Sequence, residues 1–365
     1  MSAHVLRSES GYTITELLVS TAIMVTVTGA IFGLMNPAQG SAQTQPEAAD
    51  LQQRMRVGSD TLFKELVMSG AGPYQGPTTG SLINFFAPIL PRRTGRNAAD
   101  PTQGPASFRS DAITLSYIPN SYSQTSISSP MPQVAAELKV FDQPNCPKGR
   151  QLCGFEEGMQ VIIFDTSGNF DTFVITQVQD DAGHLQHRQQ PLNFPYATGA
   201  QVTQIVSNTY YLDRTTNQLM RYNGADEDIA LVDDVVDVRF DYYGDPNPPR
   251  FPQPPLGTAN CLYDAACNYV GPPALPAQDG SLASLPAAVL TNGPYCGSGA
   301  NEFDADLLRV RKVRVSLRMQ ATRGTLRGAD TTLFMKPGSA LSGQRTVPDY
   351  RVSFEVSPRN LNLAR

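Results

Sequence analysis

The stretch GYTITELLVSTAIMVTVTGAIFGLM, from Gly11 to Met35, decides how this chain begins to fold. It is apolar over almost its whole length, and a helix needs roughly 20 apolar residues to cross a bilayer. Its single charge is Glu16, near its start. A carboxylate costs roughly 2.5–3.5 kcal/mol at the centre of a membrane helix, so such a residue is a functional candidate. The sequence therefore predicts a membrane-spanning helix that carries one functional carboxylate.

Three interpretations of this stretch are open. A secretory signal peptide would need an A-x-A-like cleavage site after the apolar run, and the run is long for such a signal. A plain N-terminal anchor helix explains the length but gives Glu16 no role. The third interpretation takes the short leader, Gly11 and Glu16 together as one processing and assembly motif.

The segment Gly11-Tyr12-Thr13-Ile14-Thr15-Glu16 resembles the cleavage and methylation motif of type IV prepilins. In that family a membrane peptidase cuts after the glycine and methylates the new amine. The resemblance implies cleavage between Gly11 and Tyr12 and N-methylation of Tyr12. Tyr12 stands where the family usually has Phe, and Thr15 where it usually has an aliphatic residue.

The prepilin resemblance also implies a role for Glu16. In the family this Glu is thought to pair with the N-terminal amine of a neighbouring subunit, which would offset the cost of desolvating the carboxylate. The alternative is a Glu16 side chain that only extends to the cytoplasmic headgroups.

Composition places the body of the protein beyond the membrane. Five Cys in 365 residues fit an oxidising compartment. Arg7 precedes the apolar run, so the N-terminus is expected to stay in the cytoplasm while the body is exported. The net charge of −5 is modest. It gives no reason to expect nucleic-acid binding.

A second helical pattern follows from 47 to 69. One face carries an apolar stripe with a glycine in the middle, at Leu51, Met55, Gly58, Leu62 and Leu66. Gly70 and Gly72 are suitable helix ends. The sequence therefore predicts that the anchor helix continues, past Asn36-Pro37 and Pro46, into an amphipathic half that packs on the body. The segment LQQRMRVGSDTLFKELVMSGAG also resembles the corresponding helix of PilW-type minor pilins.

The rest of the chain reads as strands joined by long loops. Alternating or β-branched runs predict strands at 111–118, 137–141, 159–165, 170–178, 202–212, 218–222, 231–243, 307–320 and 350–356. The segments 71–110 and 119–133 read as loops.

Two of these strands carry opposite charges. The strand 231–243 has an acidic outer face and the strand 307–320 a basic one, so the two are expected to be antiparallel neighbours. A basic stripe can also contact DNA, but this one lacks interleaved aromatic residues.

Few residues point to catalytic or metal chemistry. Oxygen side chains alternate from Asp165 to Asp171, which indicates either a structural turn or a Ca²⁺ loop, although the bidentate Glu of an EF-hand is missing. His184 and His187 lie in a polar segment and are expected to be solvated. The common hydrolase, zinc-protease and phosphate-loop motifs are absent from the sequence. We therefore expect no enzymatic activity, no cofactor and no metal site.

The cysteines predict at least one local disulfide. Cys146 and Cys153 flank a turn-like segment and are expected to pair. The other three, Cys261, Cys267 and Cys296, lie in a Pro/Gly-rich insertion at 244–301. Only one pair can form among them. Cys261–Cys267 is favoured, which leaves Cys296 free or linked to another chain.

These patterns predict an α+β, pilin-like fold. A long N-terminal helix, membrane-spanning in its first half, would pack on antiparallel β-sheets with long loops. The predicted divisions are a leader peptide (1–11), a membrane-spanning and filament-core helix (12–36), its amphipathic continuation (37–72) and an exported β-rich domain (73–365) that contains the 244–301 insertion.

The C-terminal blocks VRKVRVSLRMQA and YRVSFEVSPRNLNL, and the central block LVDDVVDVRFDYYGD, resemble the PilW/PulJ (GspJ) family. The resemblance implies a minor pilin that helps to initiate assembly of a type IV pilus and sits at or near its tip. Expected partners are the prepilin peptidase, other minor and major pilins, a PilY-type tip adhesin and the inner-membrane assembly platform.

The expected location is the inner membrane, with a periplasmic body, and then the extracellular pilus tip. Two alternatives stay open. One is a GspJ-like minor pseudopilin of a type II secretion system. The other is a tip adhesin that acts in cell adhesion through 244–301.

Overall fold

The computed structural model describes residues 11–72, 84, 86–95, 104–119, 121, 123–144, 146–225, 227–277 and 281–362. The fold is α+β, with an N-terminal apolar helix and several antiparallel sheets, as the sequence predicts. The chain divides into two compact units, Met1–Gln52 with Gln320–Asp349, and Gln53–Met319 with Tyr350–Arg365. The predicted leader lies outside the described residues apart from Gly11.

One helix, α1, runs without interruption from Ile14 to Met68. The prediction that Pro37 and Pro46 do not end it is confirmed. Each residue of the predicted stripe from Leu51 to Leu66 is buried, since five positions spaced by three or four residues lie on one face of a helix. The helix is followed by Gly70, whose φ of 73° is the left-handed conformation that commonly ends helices.

A short second helix, α2, spans Ala287–Leu290. In chain order the strands of the described residues are β1 (Ile89–Leu90), β2 (Ala112–Tyr117), β3 (Gln124–Ser126), β4 (Glu137–Lys139), β5 (Gln160–Phe164), β6 (Phe170–Val174), β7 (Gln177–Gln179), β8 (His184–Gln186), β9 (Gln201–Gln204), β10 (Val206–Asp213), β11 (Gln218–Tyr222), β12 (Asp228–Val232), β13 (Val235–Gly244), β14 (Ala283–Ser284), β15 (Tyr295–Cys296), β16 (Phe303–Asp304), β17 (Val310–Met319) and β18 (Tyr350–Val356).

The largest sheet has five strands in the order β1-β2-β10-β11-β12. The predicted hairpin of β10 and β11 is present. The single strand predicted at 202–212 is wrong, because the chain changes sheets at Ile205. The Ile205 amide donates to Gln160 on β5, whereas the next residue, Val206, pairs with Tyr117 on β2. The result is two strands, β9 and β10, in different sheets.

Two smaller sheets share a core. One has the order β3-β9-β5-β6 and the other β4-β8-β7. The β5–β6 hairpin at the predicted 165–169 turn is present. Its inward side chains, including Val161, Ile163 and Phe173, join a buried cluster with Leu138 and Leu185. β5 is buried on both faces, from Val161 to Phe164, which explains its continuous apolar run in the sequence.

The C-terminal sheet has the order β14-β13-β17-β18. The prediction that the acidic-faced and basic-faced strands are antiparallel neighbours is confirmed by the pairing of β13 with β17. The predicted inward side chains are buried, namely Val236, Val238, Phe240, Tyr242, Val313, Val315, Leu317 and Met319. The strand predicted at 231–243 is nevertheless broken, because Asp234 has a φ of 59° and turns the chain from β12 into β13.

The ion pairs of this sheet differ from the expected β13–β17 pairs. Glu355 on β18 accepts from both Lys312 and Arg314 at 2.8 Å. Asp241 on β13 instead pairs with Arg239 of its own strand, also at 2.8 Å. Arg314 lies opposite Asp241 on β13 and opposite Glu355 on β18. It bonds to Glu355, which Lys312 also contacts.

The insertion at 244–301 is ordered over its described residues. It supplies β14, which pairs with the end of β13, and the short helix α2. Its apolar side chains Leu262, Leu285 and Leu290 are buried. β15 pairs with β16 and closes the insertion.

Candidate functional site

The predicted cleavage site lies just before helix α1. Gly11, Tyr12 and Thr13 are non-helical and exposed, and Ile14 is the first helical residue. Tyr12 is 90% exposed. The Gly11–Tyr12 bond therefore lies in an exposed, non-helical segment, the kind of segment that proteases generally cut.

Thr13 and Glu16 form a capping box at this helix end. The backbone N–H of Thr13 donates to Glu16 Oε2 at 2.9 Å, and the backbone N–H of Glu16 donates to Thr13 Oγ1 at 3.3 Å. The Thr13 hydroxyl also donates to Glu16 Oε2 at 2.9 Å. Two backbone donors without helical partners are satisfied in this way. The T-x-x-E spacing of Thr13 and Glu16 is the sequence signature of a capping box, so this contact could have been predicted.

The helix segment after the box is exposed. Ile14–Gly33 has a mean hydropathy of 1.8, and none of its most apolar window is buried. Among the described residues it is the segment long and apolar enough to cross a membrane. This is the property expected of a membrane anchor near the N-terminus.

The second half of α1 is held by polar and aromatic contacts within the larger unit. Arg54 Nη1 lies 2.8 Å from Asp234 Oδ2, at the turn between β12 and β13. Asn208 Nδ2 on β10 donates to Glu65 Oε2 at 3.2 Å. The Phe63 ring lies 6.4 Å from that of Phe354 on β18. The helix is therefore tied to both the five-stranded and the C-terminal sheet.

The disulfides agree with one prediction and correct another. Cys146 pairs with Cys153, as predicted, and Cys261 pairs with Cys296. Cys267 is free and exposed, so the favoured Cys261–Cys267 pair is wrong. The prediction of a Cys261–Cys267 pair depended only on the short sequence separation of these two residues. Cys296, on the closing strand β15, is brought back to Cys261 by the fold.

The candidate calcium segment forms a hydrogen-bonded turn. Asp165 Oδ1 accepts from the amides of Ser167 at 2.9 Å and Asn169 at 3.2 Å. Asp171 is buried and accepts from Asn193 and from the hydroxyl of Tyr196 at 2.8 Å. The two carboxylates therefore serve different hydrogen-bond networks. The described residues contain no cluster of three or more His, Cys, Asp or Glu side chains suited to a metal.

The expectation that both His residues are solvated is wrong for His187. Its side chain is fully buried and its ring lies 4.9 Å from that of Phe173. Nδ1 lies 2.8 Å from the carbonyl oxygen of Gln190. Burial lowers the pKa of His187. His187 follows the short strand β8, whose residues Leu185 and Gln186 are also buried. The polar residues around His187 in the sequence give no indication of this burial.

No protein-family model matches this sequence, and no curated protein matches it either.

Proposed function

We propose that this protein is a PilW-like minor pilin of a type IV pilus, which helps to initiate pilus assembly and sits at or near the tip. The observation that carries the proposal is the motif Gly11–Glu16 at the exposed start of an apolar helix. The motif supplies a residue without a side chain before the cut, an aromatic residue after it and a carboxylate one helical turn further on.

The course of helix α1 supports the proposal. Its first part, Ile14–Gly33, has an apolar surface that is exposed in the single chain. Its last part, from Gln53 to Met68, packs on β-sheets. A pilin-like fold needs this division, because the first part must be buried first by lipid and then by the like helices of a filament.

The assembly step of the proposal concerns Glu16. Within a bundle of apolar helices its carboxylate would be desolvated, and an amine of a neighbouring chain would offset that cost. Both intrachain hydrogen bonds to Glu16 use Oε2. Oε1 therefore has capacity for a charged donor from another subunit.

The remaining parts of the proposal follow from this role. The partners would be the prepilin peptidase, other pilins, a PilY-type tip adhesin and the assembly platform. The chain would reside in the inner membrane with its body in the periplasm, and would then move to the pilus tip.

Processing is tested by intact-mass measurement of the chain isolated from cells that carry a prepilin peptidase. We expect the loss of residues 1–11 and the gain of one methyl group on Tyr12. Gly11→Glu should retain the leader, because a charged side chain would have to enter the peptidase site. Gly33→Ala, inside the same helix, is the matched control and should be processed normally.

Two results would contradict this proposal. One is a mature chain that begins after the apolar run, as a secretory signal would give. The other is normal processing of Gly11→Glu. Recovery of the chain in sheared pili distinguishes the pilus from a type II secretion system, in which loss of the chain would instead stop protein secretion.

A further inference from the structure

A cavity of about 240 Å³ lies inside the larger unit, between two of its sheets. Ser116 on β2 and Ser207 on β10 contribute one wall, and Gln160 on β5 and Thr172 on β6 contribute the opposite wall. Gly299, Asn301 and Phe303 line a third side. None of the predicted functional residues lies here.

The floor of the cavity is aromatic. The ring of Phe170 lies 5.4 Å from that of Phe86 and 6.1 Å from that of Phe303. The three rings are buried, which fixes them in place. Phe170 is tilted by 38° to Phe86 and by 34° to Phe303, so the rings do not form one flat face.

Amide side chains surround this floor, and two of them are held by hydrogen bonds. Asn193 Nδ2 donates to the buried carboxylate of Asp171 at 2.7 Å. Asn301 Nδ2 donates to Thr172 Oγ1 at 3.0 Å. These bonds orient both amides before any ligand arrives, which reduces the entropy cost of binding.

Gln160 differs from the other two amides. It is half-buried and lines the cavity, but its side chain makes no hydrogen bond to the described residues. Its amide therefore offers two N–H donors and a carbonyl acceptor to a ligand.

The charge of the cavity restricts the ligand. None of the described lining residues is an Asp, Glu, Lys, Arg or His. A charged ligand would lose its hydration without gaining a counter-charge. The described lining therefore suits a neutral ligand with an apolar face and with groups that both donate and accept hydrogen bonds.

We propose that this cavity binds one neutral pyranose unit of a glycan. Vicinal hydroxyl groups both donate and accept, which matches the side-chain amides of Gln160, Asn193 and Asn301. The C–H groups of a sugar ring can pack against the phenylalanine side chains, whose tilt of 34–38° offers no pair of parallel faces to a planar base. All the described residues of the site belong to the larger unit and none to the Gly11–Glu16 motif. The sugar-binding proposal therefore does not depend on the proposed pilin function.

Binding is tested by saturation-transfer NMR on the full chain in a zwitterionic detergent, since a sugar-based detergent would compete. The probes are the methyl pyranosides of glucose, galactose and mannose, and N-acetylglucosamine. Adenosine serves as a planar neutral comparison. We expect saturation transfer to at least one sugar, with a Kd of about 1 mM for so small a ligand.

Variants locate the site. Gln160→Leu, which removes the unpaired amide at similar volume, should weaken sugar binding about ten-fold. Gln179→Leu on β7 makes the same chemical change outside the cavity and should leave binding unchanged. Asn193→Ala, at the exposed mouth, should also weaken binding, and it tests the site should Gln160→Leu fail to fold.

Three results would overturn the proposal. They are the absence of transfer to all four sugars, transfer to adenosine alone, and sugar binding that Gln160→Leu and Asn193→Ala both leave unchanged.

Discussion

The carboxylate of Glu16 has one role that is observed in the single chain and a second role that we propose for the filament. Through Oε2 it caps helix α1 together with Thr13, and this bond exists in the single chain. In the proposed filament it would also meet an amine of another chain. Removing the side chain entirely would disturb both roles at once, so a substitution that separates them is more informative.

We expect Glu16→Gln to insert normally into the membrane but to be poorly recovered in sheared pili. Gln at this position preserves the capping box, whereas the charge that would pair with an amine is lost. Glu16→Ala removes both. Immunoblots of membranes and of sheared pili measure the two steps.

The control for the charge is Thr13→Ala, which removes the cap hydroxyl and keeps the carboxylate. Losing an N-cap side chain costs about 1 kcal/mol, and we expect incorporation to be largely retained. Full recovery of Glu16→Gln in pili would show that the charge is not needed.

A second residue-scale feature is a buried charge cluster beside β17. Asp306 forms an ion pair with Arg309 at 3.0 Å, and both side chains are almost fully buried. Burial raises the pKa of Asp306 to about 7, with Asp304 adding to the rise and Arg309 opposing it. Burial also raises the pKa of Asp304.

The Asp306 shift predicts a contribution to stability that falls as the pH rises from about 4 to about 7, whereas the lowered pKa of His187 contributes in the opposite direction. Over this range the folded state keeps a proton on Asp306 that the unfolded state has already released. The contribution of Asp306 to the free energy of unfolding therefore decreases as the pH rises. Asp306→Asn, whose side chain is neutral at every pH, should flatten this slope, and its stability should lie closest to that of the native chain near pH 4. Thermal unfolding followed by circular dichroism measures both, since the chain has no Trp. A pH dependence that is the same in the native chain and in Asp306→Asn would contradict the assignment.

At the scale of elements, helix α1 depends on a stripe of side chains with one gap. Gly58 fills that gap. A Cβ placed on Gly58 would lie 3.5 Å from Val232 Cγ2 and 3.9 Å from Leu317 Cδ1, which is ordinary van der Waals contact. The helix therefore tolerates a methyl group there.

Gly58→Ala is expected to stabilise the body by about 0.5–1 kcal/mol, because Ala has the higher helix propensity and a more restricted unfolded chain. Gly58→Leu should destabilise it by about 1–3 kcal/mol through overpacking. Gly70→Ala is the matched control. It should destabilise, since the φ of Gly70 is 73°. Thermal unfolding of the three variants gives the order, and a destabilised Gly58→Ala would show that the helix lies closer to the sheet.

At the scale of the whole molecule, the insertion is fastened at several points. The Cys261–Cys296 disulfide joins residues 35 apart. The Arg309 guanidinium donates to the carbonyl oxygens of Pro272 and Pro273. β14 extends the C-terminal sheet. A Pro/Gly-rich segment is thereby held in a defined conformation without a core of its own.

Loss of the longer disulfide should therefore cost more than loss of the shorter one. On the chain-entropy estimate, Cys261→Ser with Cys296→Ser costs about 4 kcal/mol, against about 2 kcal/mol for the pair Cys146 and Cys153, which are 7 residues apart. Chemical unfolding of the two double variants compares them.

Thiol labelling checks the pairing itself. The native chain should react at one thiol, and Cys267→Ser should abolish the reaction. Labelling at Cys296 would instead support a Cys261–Cys267 disulfide.

Strong, one-sided patterns predicted their elements well. Helix α1 and strands β17 and β18 were found because burial on one face leaves a periodic sequence. The breaks at Ile205 and Asp234 were missed, since a chain that changes sheets can keep β-branched residues on both sides of the break. The buried His187 and the cavity amides were missed for another reason, because a polar side chain gives no sign in the sequence of whether it is solvated.

The sequence by itself determined the apolar helix, its cleavage-like motif, the α+β class and the antiparallel pairing of β13 with β17. Each depends on neighbours along the chain or on a repeating pattern. Tertiary structure alone decided that Cys296 pairs with Cys261 and that three amides surround one cavity. Those contacts join residues far apart in sequence, and they depend on loop paths that local residue preferences do not specify.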